Sequence, residues 1–294
     1  MSSHSANAET TGGGIQRIIH QIWLGTNPRP DEWMKTVQEF AAAHGYTYKL
    51  WDEAAAESEL HWDSVPGLRR VYAGFSGELA GKADVIRLMA LYEQGGIYID
   101  ADSVVMKPAK FAEFLETNPH PVFFAWEDLK KNGKTIENAG AELAGKEDRL
   151  IANGTIGSRA GHGFLRALLG GLAENAEREA GEQAWRKAGP LYVTRVYMKQ
   201  KGVGTKGIDD VHIYPMKLFY PVYWHGIKDP EMHKKVEIPG ESMLFQYGYS
   251  TNGFADIFRN RQAAGGGRRR RRRGSRRLKT KKLKRVRHNR SRRS

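Results

Sequence analysis

The sequence predicts an α/β fold, parallel strands with helices packed on the sheet, and three observations predict it. The chain opens with a β-α-β pattern between Ile15 and Asp52. A long helix, apolar almost all round, runs from Glu78 to Gln94. A strand follows it at once and ends in two aspartates on one face.

Each element has its own signal. "IQRIIHQIWLG" carries Ile15, Ile18, Ile19, Ile22, Trp23 and Leu24 into a glycine, the mark of a buried first strand that ends in the loop "GTNPRPDEW". "DEWMKTVQEFAAAHG" reads as a helix: Asp31 is the expected cap, Trp33, Val37 and Phe40 fall on one helical face, and Gly45 stops it. "YTYKLWD" then alternates as a second strand. The next helix is expected to be capped by Ser76, with Glu78 complementing its positive end and Gly95-Gly96 terminating it. Its apolar residues include Leu79, Ala83, Val85, Ile86, Leu88, Met89 and Leu91, so burial on all sides is expected.

Composition narrows the function classes. A chain of 294 residues with 40% hydrophobic content can bury one large core, which favours a single enzyme-sized domain. Residues 15–260 are assigned to that domain, with residues 1–14 and 261–294 expected to be disordered. The absence of cysteine excludes a disulfide scaffold and a thiolate metal site. The start, "MSSHSANAETTGGG", lacks the apolar core of a secretory signal, and no apolar stretch approaches the length of a bilayer span. The chain is therefore expected in the cytoplasm or peripherally on a membrane.

The net charge of +14 is confined to one end. Of the 47 Lys and Arg, 17 lie in residues 268–294, which hold no Asp or Glu; the remaining 30 face 33 acidic residues, a balance of −3 for residues 1–267. The tail "RRRRRRGSRRLKTKKLKRVRHNRSRRS" reads as a partner for nucleic acid or anionic membrane, or as a nuclear import signal. It explains nothing about the charges inside the body.

Those internal charges carry the chemistry. Asp84 and Arg87, at i and i+3, interrupt the apolar helix on one face, and charges buried there must be paired or face a polar ligand. In "IYIDAD" the strand period sends Ile97, Ile99 and Ala101 to one side and Tyr98, Asp100 and Asp102 to the other. Two carboxylates at the carboxyl end of a strand repel unless a cation sits between them, and Mg²⁺ or Mn²⁺ with oxygen ligands would satisfy both. Such an ion suits the holding of a diphosphate and the neutralising of charge as it leaves.

"ADVIRLMALYEQGGIYIDAD" resembles the sugar-binding D-x-D region of the glycosyltransferases related to yeast initiating mannosyltransferases and capsular polysaccharide transferases, and more distantly to clostridial glucosylating toxins. "IIHQIWLG", "LIANGTIGSRAGHGFLRALL", "GPLYVTRVY" and the late tyrosine-proline strand "FYPVYW" extend the likeness, in order, across about Ile15 to Phe258. The resemblance implies a GT-A fold, a Rossmann-like mixed and mostly parallel sheet, a divalent metal (Mn²⁺ or Mg²⁺), and a nucleoside-diphosphate sugar donor. It implies transfer of a hexose to a carbohydrate, lipid or protein hydroxyl with retention of configuration. It implies Trp23 stacking on the base, Asp84 bonding donor hydroxyls, Arg87 along the sugar or phosphate, Asp100 on ribose and metal, and Asp102 on the metal. Asp84, Arg87 and Asp102 are thus the expected catalytic set. Where relatives place a late His followed by Ser-Trp, this chain has Gln246 and Ser250-Thr251, so Gln246 or Ser250 is the candidate further metal ligand, with His225 as substitute. Were the reaction inverting, a base would be sought among Asp209, Asp210 and Glu241. Two rivals stand beside this reading: a donor-binding protein without catalysis, and a nucleic-acid-associated protein acting through its tail.

Overall fold

The computed structural model describes residues 10–11, 13–128, 130–131, 134–135, 149–205, 207–222 and 227–261. The expected tail, the first nine residues and His225 lie outside the described residues.

The strands are β1 (Ile18–Ile22), β2 (Thr47–Trp51), β3 (Gly96–Ile99), β4 (Ser103–Val105), β5 (Val122–Asp128), β6 (Lys130–Lys131), β7 (Lys134–Thr135), β8 (Arg149–Ser158), β9 (Val211–Tyr214) and β10 (Leu244–Gln246). The helices are α1 (Asp31–Ala43), α2 (Glu53–Glu59), α3 (Leu68–Gly74), α4 (Leu79–Gln94), α5 (Pro108–Thr117), α6 (Gly163–Arg178), α7 (Ala184–Lys187), α8 (Pro190–Gly202) and α9 (Tyr249–Asn252). Six strands form the main sheet in the order β2-β1-β3-β8-β5-β9; only β8 runs against its neighbours. The sheet is mixed and mostly parallel, with helices on both faces, as the sequence predicts.

The two faces follow from period-two alternation. Ile97 and Ile99 of β3 pack beneath α1 and α5, against Val37, Phe40, Phe111 and Leu115. Tyr98 points the other way, into the larger core that α4 and α6 build with Val85, Leu88, Leu165 and Leu168. Because α4 sits between sheet and α6, its residues from Asp84 to Leu91 are all buried, charges included. A third cluster, made of Trp33, Phe245, Tyr247, Phe254 and Phe258, anchors the last described segment against α1; Trp33 and Tyr247 stack at 4.0 Å and 4°.

Several local expectations change. The cap of α4 is Glu78 rather than Ser76, and its carboxylate is taken up by the Ala184 N–H and by Lys187. Pro30, not Asp31, precedes α1, and Asp31 pairs with Arg29 at 2.5 Å. Phe219–Val222 follow a 3-10 turn and form no strand, consistent with a proline that cannot donate to a ladder. Gly95-Gly96 does end α4, and no other residue type fits: φ is +65° and +102°, and a Cβ on Gly95 would lie 1.7 Å from the Gln16 side chain.

Candidate active site

Trp23, Asp100 and Glu127 lie at the carboxyl ends of the parallel strands β1, β3 and β5, where ligands of open α/β sheets gather. The strand predicted through Asp102 stops at Ile99. Asp100–Ser103 form a turn closed by the Ser103 N–H donating to the Asp100 carbonyl at 3.0 Å, so the aspartates project from a turn between β3 and β4 and not from a strand. They still reach one another's surroundings. The Gln246 amide donates to Asp100 Oδ2 at 2.6 Å and to Asp102 Oδ1 at 3.4 Å, bridging the pair. The Tyr249 N–H donates to Asp102 Oδ2 at 2.6 Å.

Arg87 organises the other side. Its guanidinium lies 3.2 Å from Asp84 Oδ1 and 3.3 Å from Asp100 Oδ1, donates to the Asn153 carbonyl, and sits 4.4 Å from the centre of the Tyr98 ring. The Tyr98 hydroxyl donates to Asp100 Oδ1 at 2.5 Å, and Asn153 Nδ2 donates to Asp84 Oδ1 at 2.8 Å. Asp84 is consumed by these contacts and lines neither cavity of the site; Arg87 lines one of them.

One buried and two half-buried carboxylates against one guanidinium leave an excess of negative charge. Burial, reinforced by Asp100, pushes Asp102 up to about 7. Burial also pushes Asp84 up to about 7 against the opposing pull of Arg87, and raises Asp100. The chemistry of the donor set fits a divalent cation with oxygen ligands. The positive end of the Gln246 amide already lies between the two acids, and turning that amide over would present its oxygen instead. A Cβ on Gly154 would come within 2.7 Å of Asp100 Oδ2 and 2.9 Å of Gln246 Nε2, so the glycine keeps the space beside the pair clear. Among the described residues no group of three or more His, Cys, Asp or Glu is placed to hold a metal, so two carboxylates and neutral oxygens are the protein's offer. Ser250, exposed, lines both cavities.

The cavities meet at Asp100, Asp102, Tyr249 and Ser250, and each has a volume of about 200 Å³. The first is walled by Trp23, Leu24, Leu79, Ala83 and Arg87. Trp23 stands edge-on to Tyr249 at 5.0 Å, its N–H donating to the Asn27 carbonyl at 3.2 Å. The second holds Glu127, Asn153, Gly154, Tyr220 and Thr251. Asp209 and Asp210 are exposed ahead of β9, and Glu241 pairs with Lys217 at 2.5 Å; none of the three lines either cavity.

Asn153, Gly154, Gln21, Glu127 and Tyr220 were not singled out by sequence. Gln21 donates to the Asp100 carbonyl at 3.2 Å and accepts from Tyr48 at 2.9 Å. Asn153 and Gly154 enter the site because β8 shifts register there: Phe123 pairs with Gly157 but Ala125 with Ala152, so extra residues of β8 swing from β5 toward β3. The one sequence signal was "NG" inside a strand pattern.

The family model "Glycosyltransferase sugar-binding region containing DXD motif" matches residues 30–123. Inositol phosphoceramide mannosyltransferase 3 of Schizosaccharomyces pombe is 34% identical over 89 residues, 30% of this chain and 24% of the relative. Mannosyl phosphorylinositol ceramide synthase CSH1 of Saccharomyces cerevisiae is 34% identical over 89 residues, 30% and 23%. The chain thus spans about a quarter of the length of these relatives. Uncharacterized glycosyltransferase L373 of Acanthamoeba polyphaga mimivirus is 25% identical over 213 residues, 70% of this chain and 75% of the relative. Among solved structures, the PaToxG glycosyltransferase superposes with a TM-score of 0.46 at 17% identity, covering 66% of this chain and 73% of its own. The region that the family model matches contains α4, the turn after β3 and both bridged acids, Asp100 and Asp102, which stand in it in a D-x-D pattern.

Proposed function

We propose that this chain is a metal-dependent glycosyltransferase that moves a hexose from a nucleoside-diphosphate sugar to a hydroxyl acceptor, with retention of configuration. The observation that carries the reading is the half-buried Asp100–Asp102 pair, bridged by Gln246 and flanked by Arg87, at the junction of two cavities. The first cavity supplies what a nucleoside diphosphate needs: an indole face for the base and a guanidinium for anionic oxygen. Asp100, Asp102 and a turned Gln246 would hold Mg²⁺ or Mn²⁺, which when bound neutralises the diphosphate as it departs. Arg87, fixed by Asp84 and the Asn153 carbonyl, is aimed before substrate arrives and costs little reorganisation when charge develops. The yeast relatives bear the name of mannosyltransferases acting on inositol phosphoceramide, so a mannosyl donor and an inositol-type acceptor are the first pair to test.

The test is release of nucleoside diphosphate from a panel of nucleotide sugars with Mn²⁺, beside Asp102→Asn. Release with one donor that falls at least about a hundredfold in the variant is the expected result. Donor binding without release from any sugar would instead favour the second reading, a catalytically silent binder, which the Gln246 amide seated between the acids motivates.

A further inference from the structure

We propose that Gln21 is a positioning residue: its amide ties the Asp100 turn to the end of β1 and so sets the span between Trp23 and the Asp100–Asp102 pair. The role rests on the glycosyltransferase reading, because that span matters only to a ligand that lies on Trp23 and reaches both acids.

The need for such a tie follows from strand pairing. β1 runs beside β2 to its last residue, Ile22 opposite Trp51, and the Trp23 N–H still donates to the Trp51 carbonyl at 2.9 Å. Its ladder with β3 is shorter and pairs only Ile19 with Ile97 and His20 with Tyr98. Past that rung the strands part, and the first cavity lies between Ile22, Trp23 and Leu24 on one side and Tyr98, Asp100 and Asp102 on the other. Where the next rung would stand, the Gln21 side chain crosses instead, its Nε2 donating to the Asp100 carbonyl at 3.2 Å. Period-two alternation sends Gln21 with Ile19 to the α1 face, away from His20, whose ring crosses to the Gly95 carbonyl at 2.8 Å. One side chain of β1 thus reaches each end of β3.

Hydrogen bonding separates this role from that of a residue that only holds the fold. Gln21 is fully buried and lines neither cavity, so it acts through Asp100 and not on a ligand. Its orientation is fixed by the Tyr48 hydroxyl, which donates to Oε1 at 2.9 Å and leaves the amide N–H for the Asp100 carbonyl, a group that can only accept. That carbonyl already accepts from the Ser103 N–H at 3.0 Å, and the Asp100 N–H donates to the Gly154 carbonyl at 2.8 Å. The backbone of Asp100 is therefore satisfied without Gln21, and a methionine of similar shape would avoid the cost of burying an amide. What the amide adds is a fixed distance. The Asp100 carboxylate has its own holders, Tyr98, Arg87 and Gln246, so the acids keep their local arrangement when Gln21 is replaced. Removing the tie loosens the acids as a group relative to Trp23 and leaves each side of the gap intact.

The experiment uses the full chain, Gln21→Met and Tyr48→Phe, and calorimetry with Mn²⁺ alone and with UDP or GDP in the absence and presence of Mn²⁺. In the wild type, Mn²⁺ should raise the affinity for one of the two diphosphates, since Trp23 and the acids then hold a single ligand. In Gln21→Met that gain should shrink by about tenfold, while Mn²⁺ alone and the metal-free diphosphate bind within about twofold of wild type and the melting temperature stays within a few degrees. Tyr48→Phe leaves the amide free to turn, and a smaller loss of the same gain is expected. Hydrogen exchange in the ligand-free chain gives a reading independent of nucleotide: the Ser103 N–H, which closes the turn, should exchange faster in Gln21→Met by about tenfold. A variant that keeps the wild-type gain, or the wild-type exchange rate, overturns the proposal. So does one that loses Mn²⁺ affinity, diphosphate affinity and stability together, the behaviour of a residue that only holds the fold. Wild-type protein that binds Mn²⁺ but neither diphosphate overturns the transferase reading and this role with it, an outcome read before any variant is made.

Discussion

Arg87 shows how much one side chain can be asked to hold. It neutralises Asp84 and Asp100 inside a helix–sheet interface, donates to a carbonyl and covers a tyrosine ring. Arg87→Leu leaves the buried Asp84 and the half-buried Asp100 without their shared cation. A loss of about 3–5 kcal/mol in urea unfolding is expected, and a loss below 1 kcal/mol would mean that the acids find other partners. His20 carries the opposite lesson, a buried group kept neutral. Its Nε2–H donates to the Gly95 carbonyl at 2.8 Å while Nδ1 accepts from Trp51 Nε1 at 3.1 Å, and burial lowers its pKa to about 4. Above pH 6.5 folded and unfolded chains both hold it neutral. Between 6.5 and 4 only the unfolded chain takes up the proton, so stability falls as pH falls, by roughly 3 kcal/mol across that window. The difference in unfolding free energy between wild type and His20→Gln should follow this slope; parallel pH profiles would remove His20 from the account. Asp84, Arg87, Asp100 and Asp102 were legible in sequence because charges in an apolar helix and paired acids at a strand end break a pattern. His20, Gln21 and Glu127 break no pattern, since polar residues at strand ends are ordinary; their roles come from neighbours distant in the chain.

Elements explain which of those neighbours meet. The β-α-β opening, α4 and the glycine stop were readable from periodicity and turn chemistry, and α8 begins at Pro190 after Gly189, where proline suits the first turn. The register shift of β8 was not readable, because pairing register depends on the partner strand and β8 pairs with two. Its product is Gly154, whose missing side chain leaves room beside Asp100 and Gln246. Its backbone is not of the kind only glycine adopts, so alanine there should fold and simply fill the space. Gly154→Ala should weaken Mn²⁺ binding by about tenfold or more in calorimetry while the melting temperature stays within a few degrees. Equal Mn²⁺ affinity in the two proteins would place the ion elsewhere.

At the scale of the molecule, the sheet brings three strand ends and one turn to a common edge, and charge divides the chain into an acidic body and a basic end. Among the described residues no helix is long and apolar enough to cross a membrane. A chain ending at Gly267 should keep its donor turnover and lose most of its salt-sensitive retention on heparin, since 17 of the 47 basic residues go with the tail. Turnover that falls with the tail would make the basic segment part of the enzyme. The two cavities, finally, are not independent rooms. Tyr249 lines both, its N–H held by Asp102, its hydroxyl donating to the Pro28 carbonyl at 2.6 Å and its ring set against Trp23. Whatever steadies Trp23 from one side therefore steadies the partition that the other occupant must lean on. Such a shared wall favours a fixed sequence of arrivals, nucleotide first, and initial-rate plots should show the second ligand gaining affinity only once the first is in place.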